Sequence, residues 1–299
     1  NLPFYGYHRN TTPFLNLIKN NLTIYENAIS SSYWTMPSIA SLLTGMYKSS
    51  HGLIIDGDKL NKSIFTLPIL LKQYGYRCAG FVKNIYVSEY SGLDNGFDEF
   101  VSEYGWDYIK KAMSIISKKF ISRLPPPGIT RLADDSYDYK KTKGKDICNV
   151  IARCFDVLVD RGSSKFLQEF SEWLKNNKTT PFFTYFHIFE THSPYRAPFR
   201  YTLNYLSLYD NYKKLFINHD HLNYLLGRCH MTPEHFRILQ SAYDNSICYA
   251  DHIIEEIFQS LEKNGVLDNT MIVILSDHGD NIGEHGMMFH YFCLYDTLI

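Results

Sequence analysis

The chain has 299 residues, of which 45% are hydrophobic and 20% are charged, and its formal net charge is −1 with histidine neutral. This length suits one large α/β domain or two ordinary ones, at roughly 150 residues per domain. The near-neutral charge and the lack of a basic track argue against a nucleic-acid partner. No apolar run approaches the roughly 18 residues that a membrane-spanning helix needs, so no transmembrane segment is predicted.

The first third of the chain predicts helices followed by a strand. A short helix is expected in TTPFLNLIKNN, residues 11–21, and another begins near Thr35, two residues before a proline that suits a first helical turn. The apolar positions of this second helix recur at helical spacing: Ile39, Leu42, Leu43 and Met46. Residues 66–82 predict a helix that closes near Gly75 and a strand from Arg77 to Val82.

Thr35 has two interpretations at this stage. It is either a helix N-cap with no further role, or a polar group at a helix N-terminus where outward-pointing N–H groups and the helix dipole favour an anion. The local pattern leaves both open.

The remaining part of the chain predicts more alternation of helix and strand. Residues 166–177 form an amphipathic helix, and residues 181–190 an aromatic strand that is apolar on both faces, as in a buried parallel sheet. A later helix ends at Asn264-Gly265, and MIVIL, residues 271–275, predicts a short buried strand. The alternation predicts an α/β fold with a doubly wound, mostly parallel central sheet flanked by helices.

We expect a single domain over residues 1–299 with an insertion around residues 101–150. Residues 122–146 combine three consecutive prolines with a charge-rich run, and apolar periodicity resumes directly afterwards. The segment is therefore interpreted as an exposed insertion and not as a linker between domains.

Polar side chains follow two predicted strands and begin one predicted helix. Asp277 and His278 come directly after MIVIL, His192 follows the aromatic strand, and Thr35 starts its helix. Ligands of open α/β sheets bind beyond the carboxyl ends of the strands, and a carboxylate beside an imidazole suits a divalent cation. Each feature alone is compatible with a structural role, and their coincidence predicts a site.

Four motifs resemble the sulfatase family of the alkaline phosphatase superfamily, in the family's order and approximate spacing. They are YGYHRNTTPFLN, ENAISSSYWTMPSIASLLTGMYKSSHG, THSPY and VILSDHGDNIGEHG. The resemblance covers nearly the whole chain apart from the expected insertion, and it implies the same doubly wound fold.

The resemblance implies a metal-dependent ester hydrolase. Thr35 takes the position of the nucleophile, which also touches one divalent metal ion, and Asp277 and His278 take the positions of metal ligands. Calcium, magnesium, manganese and zinc all suit such a set. Three histidines are implied on the substrate side: His192 contacting the transferred group, His290 in the place of a cationic residue that is commonly lysine, and His285 as a further pocket residue.

The nucleophile segment departs from the family pattern. Thr35-Met36-Pro37-Ser38-Ile39 lacks both the Cys or Ser and the Arg that formylglycine formation requires, so no formylglycine is expected. The expected substrate is a small-molecule, glycan or lipid ester of sulfate or phosphate, and threonine favours phosphorus. The alternatives are a phosphodiesterase or phosphotransferase acting on a glycan or lipid headgroup, and a non-catalytic binding module with the sulfatase fold.

Compared with the family, the chain is expected to be truncated at both ends. It starts after the strand that supplies another aspartate ligand to the metal, and it stops before the usual C-terminal subdomain. Loss of a carboxylate ligand weakens a metal site. The chain as written is therefore expected to be a poor enzyme, which calorimetry of metal binding with and without the upstream segment would test.

Overall fold

A parallel sheet organises the chain, whose structure, a computed structural model, describes residues 1–102, 163–217 and 220–290. Its strands are β1 (Arg77–Val82), β2 (Glu99–Ser102) and β3 (Phe182–His187), in the order β2-β1-β3. Both pairs are parallel, and Val82 at the end of β1 lies opposite His187 at the end of β3. The predicted strands at 77–82 and within 181–190 are confirmed, and the two strands end side by side.

Helices and one small hairpin complete the described chain. The helices are α1 (Pro13–Leu17), α2 (Thr35–Thr44), α3 (Lys48–His51), α4 (Leu67–Gln73), α5 (Ser163–Asn177), α6 (Phe199–Thr202), α7 (Leu208–Lys214), α8 (His221–Leu225) and α9 (Pro233–Lys263). The strands β4 (Asn281–Ile282) and β5 (Met288–Phe289) pair antiparallel. The helices predicted within 11–21, at 66–75 and at 166–177 are therefore confirmed.

Both faces of β1 are covered by helices, as predicted for a doubly wound α/β sheet. Successive side chains of a strand point to opposite faces. On one face Phe81 packs against α5, with ring centroids 5.8 Å from Phe170 and 6.4 Å from Trp173. On the other face Val82 joins a cluster with Ile39 and Leu43 of α2. The predicted fold class is confirmed.

The Phe170 side chain is the centre of the core between the sheet and α5. It is fully buried, and its ring meets Phe186 edge-on at 4.9 Å. We expect Phe170→Ala to lower the free energy of unfolding by about 3–5 kcal/mol, because a buried cavity replaces the ring. The exposed Leu17→Ala is the control, with an expected change within about 0.5 kcal/mol. Urea unfolding measures both changes in free energy. Equal losses in the two variants would contradict the placement of Phe170 at the centre of this core.

Thr35 is the first residue of α2 and not its cap. Trp34 occupies the N-cap position in an extended conformation, and no side chain caps this helix end. The N-cap interpretation of Thr35 is therefore wrong. The helix also ends at Thr44, where Gly45 adopts a left-handed φ of 68°. Met46 consequently lies beyond the helix, although its spacing predicted that it would extend the apolar face.

The long helix α9 anchors the N-terminal segment. Its start carries a capping box between Thr232 and His235. The buried Asp244 carboxylate accepts hydrogen bonds of 2.7 Å from both Tyr7 and Arg9. About two helical turns further along α9, Asp251 accepts a hydrogen bond of 2.7 Å from the Phe14 backbone N–H at the start of α1. These contacts hold the segment that precedes α2 against the body of the domain.

The MIVIL segment is not the buried strand that its composition predicts. Residues 271–275 make no sheet ladder within the described chain, and Met271 and Val273 are 90% and 70% exposed. Ile272 alone of these five packs partly against the cluster around Phe170. Apolar composition indicates that burial would be favourable, but it does not specify a neighbouring strand with which to pair.

Two further predictions, the insertion around residues 101–150 and the lack of a transmembrane segment, can be compared with the described residues only. Val101 and Ser102 are the end of β2, and residues 103–150 of the expected insertion lie outside the described ranges. Within those ranges, no helix combines the length and the apolar character needed to cross a bilayer.

Candidate active site

A cleft lies where β3 ends and α2 begins. It is lined by Thr35 of α2, by His187 and His192 at and after the end of β3, and by Asp277 and His278. The structure therefore brings together four of the side chains that the sequence placed at strand and helix ends, as parallel α/β topology requires.

The Thr35 hydroxyl faces a nitrogen lone pair. Thr35 is 5% exposed, and its Oγ1 lies 3.2 Å from His278 Nε2. The other ring nitrogen of His278 is 2.9 Å from the carbonyl oxygen of Gly279, which can only accept, so this nitrogen carries the ring proton. The lone pair on Nε2 is thus directed at the hydroxyl at the start of α2.

The Asp277 carboxylate supports a cation at the same place. Its Oδ2 is buried without a hydrogen-bond donor, and it lies 3.5 Å from His278 Nε2, which is itself an acceptor. A buried carboxylate oxygen beside a lone pair is unfavourable unless a positive charge lies between or beside them. The chemistry of Asp277, His278 and Thr35 therefore fits a divalent ion.

This set of ligands is small. Over the ranges that the structure covers, no three His, Cys, Asp or Glu side chains are grouped closely enough to hold a metal ion. The chain's described residues would supply two strong ligands, Asp277 and His278, and the weaker Thr35 hydroxyl.

His290 lies behind His278 and is held by Asp280. Its Nδ1 is 2.9 Å from Asp280 Oδ1, and its ring centroid is 4.3 Å from that of His278. The other oxygen of Asp280 accepts a bond of 3.0 Å from the Tyr195 hydroxyl. Burial lowers the pKa of His290 despite the adjacent carboxylate. His290 was predicted on the substrate side, but it is not among the residues that line the cleft, and its ring lies against that of His278.

His192 forms one wall of the cleft. Its ring stacks on Phe189, with centroids 4.4 Å apart, and its Nδ1 is 2.6 Å from the carbonyl oxygen of Ser193. Burial lowers the pKa of His192 to about 4, so the ring is neutral at pH 7. An anion bound beside the ring would favour its protonated form.

The sixth predicted residue, His285, lies apart from the others. It is exposed on the turn Glu284–Gly286, with a φ of 55°, and it is not among the residues that line the cleft. Gly283 and Gly286 lie on either side of it with positive φ values, and the turn that they form directs the His285 side chain outward.

Sequence reasoning missed three aromatic side chains of the site. His187 and Tyr243 line the cleft, and Phe289 packs between the rings of His290 and His221, with centroid distances of 3.9 and 4.8 Å. Phe289 also has a left-handed φ of 69°, a strained conformation for a large residue. His187 lies within the aromatic run of β3 and Tyr243 within α9, where each resembles a structural residue, so only the end point of β3 could have indicated His187.

Solved structures with the same fold define the class of this protein. It superposes on the phosphonate monoester hydrolase of Agrobacterium radiobacter with a TM-score of 0.65 and 17% identity, over 99% of this chain and 63% of that one. A lipooligosaccharide phosphoethanolamine transferase A from Neisseria meningitidis, an integral membrane protein, gives a TM-score of 0.55 and 16% identity, over 97% and 41% of the two chains. The chain therefore shares the α/β fold of these two proteins.

The chain belongs to the sulfatase family, because the family model described as Sulfatase matches residues 1–292. A curated relative, the N-acetylglucosamine-6-sulfatase of Capra hircus, is 26% identical over 279 residues. The match covers 88% of this chain and 46% of the goat protein, so the chain spans about half the length of that relative. The resemblance predicted from the four motifs is confirmed.

Proposed function

We propose that this chain carries the catalytic site of a metal-dependent hydrolase of sulfate or phosphate esters, with Thr35 as a covalent nucleophile. The observation that carries the proposal is the buried Thr35 hydroxyl at the first residue of α2, 3.2 Å from His278 Nε2. Helix N–H groups and the helix dipole there favour the oxyanion of a bound ester.

The proposed reaction has two steps. Thr35 Oγ1 gives its proton to water and bonds to the sulfur or phosphorus atom, while the bond from that atom to the alcohol oxygen breaks. The leaving oxygen takes a proton from His192, whose protonated form the bound anion favours. Water then bonds to the sulfur or phosphorus atom and the bond from that atom to Thr35 Oγ1 breaks, with one water proton restoring the Thr35 hydroxyl. The product is sulfate, phosphate or, from a diester, a phosphate monoester, and His192 regains its proton from water.

A divalent ion would be held by Asp277, His278 and the Thr35 hydroxyl. When bound, such an ion lowers the pKa of a hydroxyl ligand and neutralises negative charge on the ester oxygens. The buried Asp277 Oδ2 without a donor supports this assignment. An oxygen-rich set of ligands with one imidazole suits calcium, magnesium, manganese and zinc. The metal ion is therefore to be identified by comparing the four in the assay.

The side chains around Thr35 favour an unmodified nucleophile. The position where the formylglycine pattern has arginine is Ile39, which is buried in the cluster with Val82. No formylglycine is therefore proposed, and an unmodified threonine favours phosphorus over sulfur. The goat relative is named a sulfatase, and the superposed structures are named a phosphonate hydrolase and a phosphoethanolamine transferase.

The test is a paired assay with an aryl sulfate and an aryl phosphodiester, each with calcium, magnesium, manganese or zinc. We expect turnover of the phosphodiester to exceed that of the sulfate. A reversed preference would show that threonine serves sulfate transfer here. A third arm adds an alcohol acceptor, and turnover that requires this acceptor would identify a transferase. Absence of turnover in every arm, also in a chain extended upstream by the segment with the expected aspartate ligand, would support the non-catalytic binding module.

A further inference from the structure

We propose that a buried ion pair between Lys83 and Glu190, joined by Ser163, positions the segment 189–195 that carries His192. The inference rests on the function proposed above only for its effect on turnover. Its structural part, the ordering of that segment, stands on its own contacts.

The three side chains come from three elements that meet behind the cleft. Lys83 directly follows β1, Glu190 follows β3, and Ser163 is the first residue of α5. Lys83 Nζ lies 2.7 Å from Glu190 Oε1, and the Ser163 hydroxyl is in hydrogen-bond contact with both groups. The side chains of Lys83 and Glu190 are 7% and 1% exposed, so the ion pair is almost completely removed from water.

Most of the described side chains beside the pair are apolar. The Phe166 ring lies 5.3 Å from Lys83 Nζ, and Phe186 and Ile253 line a small cavity beside the pair. A buried ion pair contributes little net stability compared with apolar residues of similar volume, because both charges lose their hydration. Stability alone therefore does not account for an ion pair at this place. A hydrogen-bonded ion pair does fix the distance and orientation between the two segments that carry Lys83 and Glu190, which suits a positioning role.

Glu190 lies at one end of the segment that holds His192. The segment has no regular secondary structure, and its turn is closed by a bond of 3.2 Å from the His192 N–H to the Phe189 carbonyl oxygen. At its other end the Tyr195 hydroxyl is bonded to Asp280. The Lys83 pair therefore holds the end nearest β3, where a shift of the backbone would move the His192 ring relative to Thr35.

The experiment compares Lys83→Met, which leaves a buried carboxylate without its cation, with the apolar double variant Lys83→Met/Glu190→Leu. The control is Lys213→Met, the same substitution in an exposed ion pair with Glu234. Urea unfolding measures stability, and hydrogen exchange with mass spectrometry follows the peptide covering residues 188–196. Turnover gives kcat and KM separately.

We expect Lys83→Met to be destabilised and the double variant to regain wild-type stability. In the double variant, exchange in residues 188–196 should remain about tenfold faster than in the wild type. Its kcat should stay about 10-fold to 100-fold lower, with little change in KM. The reason is that the displaced His192 ring acts in the proton transfer of the chemical step and contributes less to substrate binding. Lys213→Met should match the wild type in every measurement.

A double variant with wild-type stability, wild-type exchange and wild-type kcat would overturn the proposal and make the pair purely structural. Should the double variant not fold, Ser163→Ala removes one contact to the pair and keeps both charges. Faster exchange confined to residues 188–196 in that variant would support the proposal, and unchanged exchange would overturn it. Because exchange needs no substrate, a wild type without turnover would count against the proposed function alone.

Discussion

Replacing Thr35 with alanine is expected to lower kcat for the preferred ester by at least about a thousandfold, because the atom that forms the covalent ester is removed. Thr35→Val should lose as much, since it keeps the shape of the buried side chain but has no hydroxyl. Thr35→Ser, which retains the hydroxyl, should stay within about tenfold of the wild type. Initial rates with the aryl phosphodiester and the aryl sulfate measure all three variants.

Two controls separate chemistry from folding in this series. Unfolding by urea should show that Thr35→Val is folded, because the substitution at this 5% exposed position removes only the hydrogen bond between the hydroxyl and His278 Nε2. Mass spectrometry after rapid acid quench should find the added phosphoryl or sulfuryl group on the peptide with Thr35. More than about a tenth of wild-type kcat in Thr35→Val would exclude Thr35 as the nucleophile.

Asp277→Asn is expected to weaken manganese binding by at least about 100-fold in calorimetry. The substitution removes the negative charge that lies against His278 Nε2 and leaves an amide of the same size. Without metal, the same variant should be at least as stable as the wild type, because the wild-type carboxylate Oδ2 is buried without a donor. Loss of affinity together with retained stability would identify Asp277 as a metal ligand.

The matched control for this prediction is Asp210→Asn. Asp210 lies on α7 and pairs with Arg237 at 2.9 Å, away from the cleft. This variant should bind manganese as the wild type does. Manganese affinity that is unchanged in Asp277→Asn would remove this residue from the metal site, and with it the support that the orphaned oxygen gives to the proposed function.

Some elements could be predicted from local pattern because that pattern is the physical cause of the element. The bounds of β1, Arg77 to Val82, follow from a glycine that ends the preceding helix and a run of small and apolar residues. The strand β3 follows in the same way from its dense aromatic residues, whose burial stabilises a sheet with two covered faces. In both cases the signal lies within about ten residues of chain.

The principal site residues were predictable for a topological reason. Strands that run parallel end at the same edge of a sheet, so side chains placed after β3 and at the start of α2 meet there. His192 after β3 and Thr35 at the start of α2 follow this rule, and Asp277 and His278 line the same cleft although no described strand directly precedes them. Spacing along the chain placed His285 near them as well, but the turn at Glu284–Gly286 directs that side chain to solvent.

What the sequence determined by itself is the α/β class, the family and the identity of the side chains that start α2 and follow β3. What only the tertiary structure decided is which partners those side chains have: the exposure of MIVIL, the cleft positions of His187 and Tyr243, and the Lys83–Glu190 pair, whose members are 107 residues apart. Periodicity records how much apolar surface an element must bury, whereas pairing depends on the directions of elements far apart in the chain.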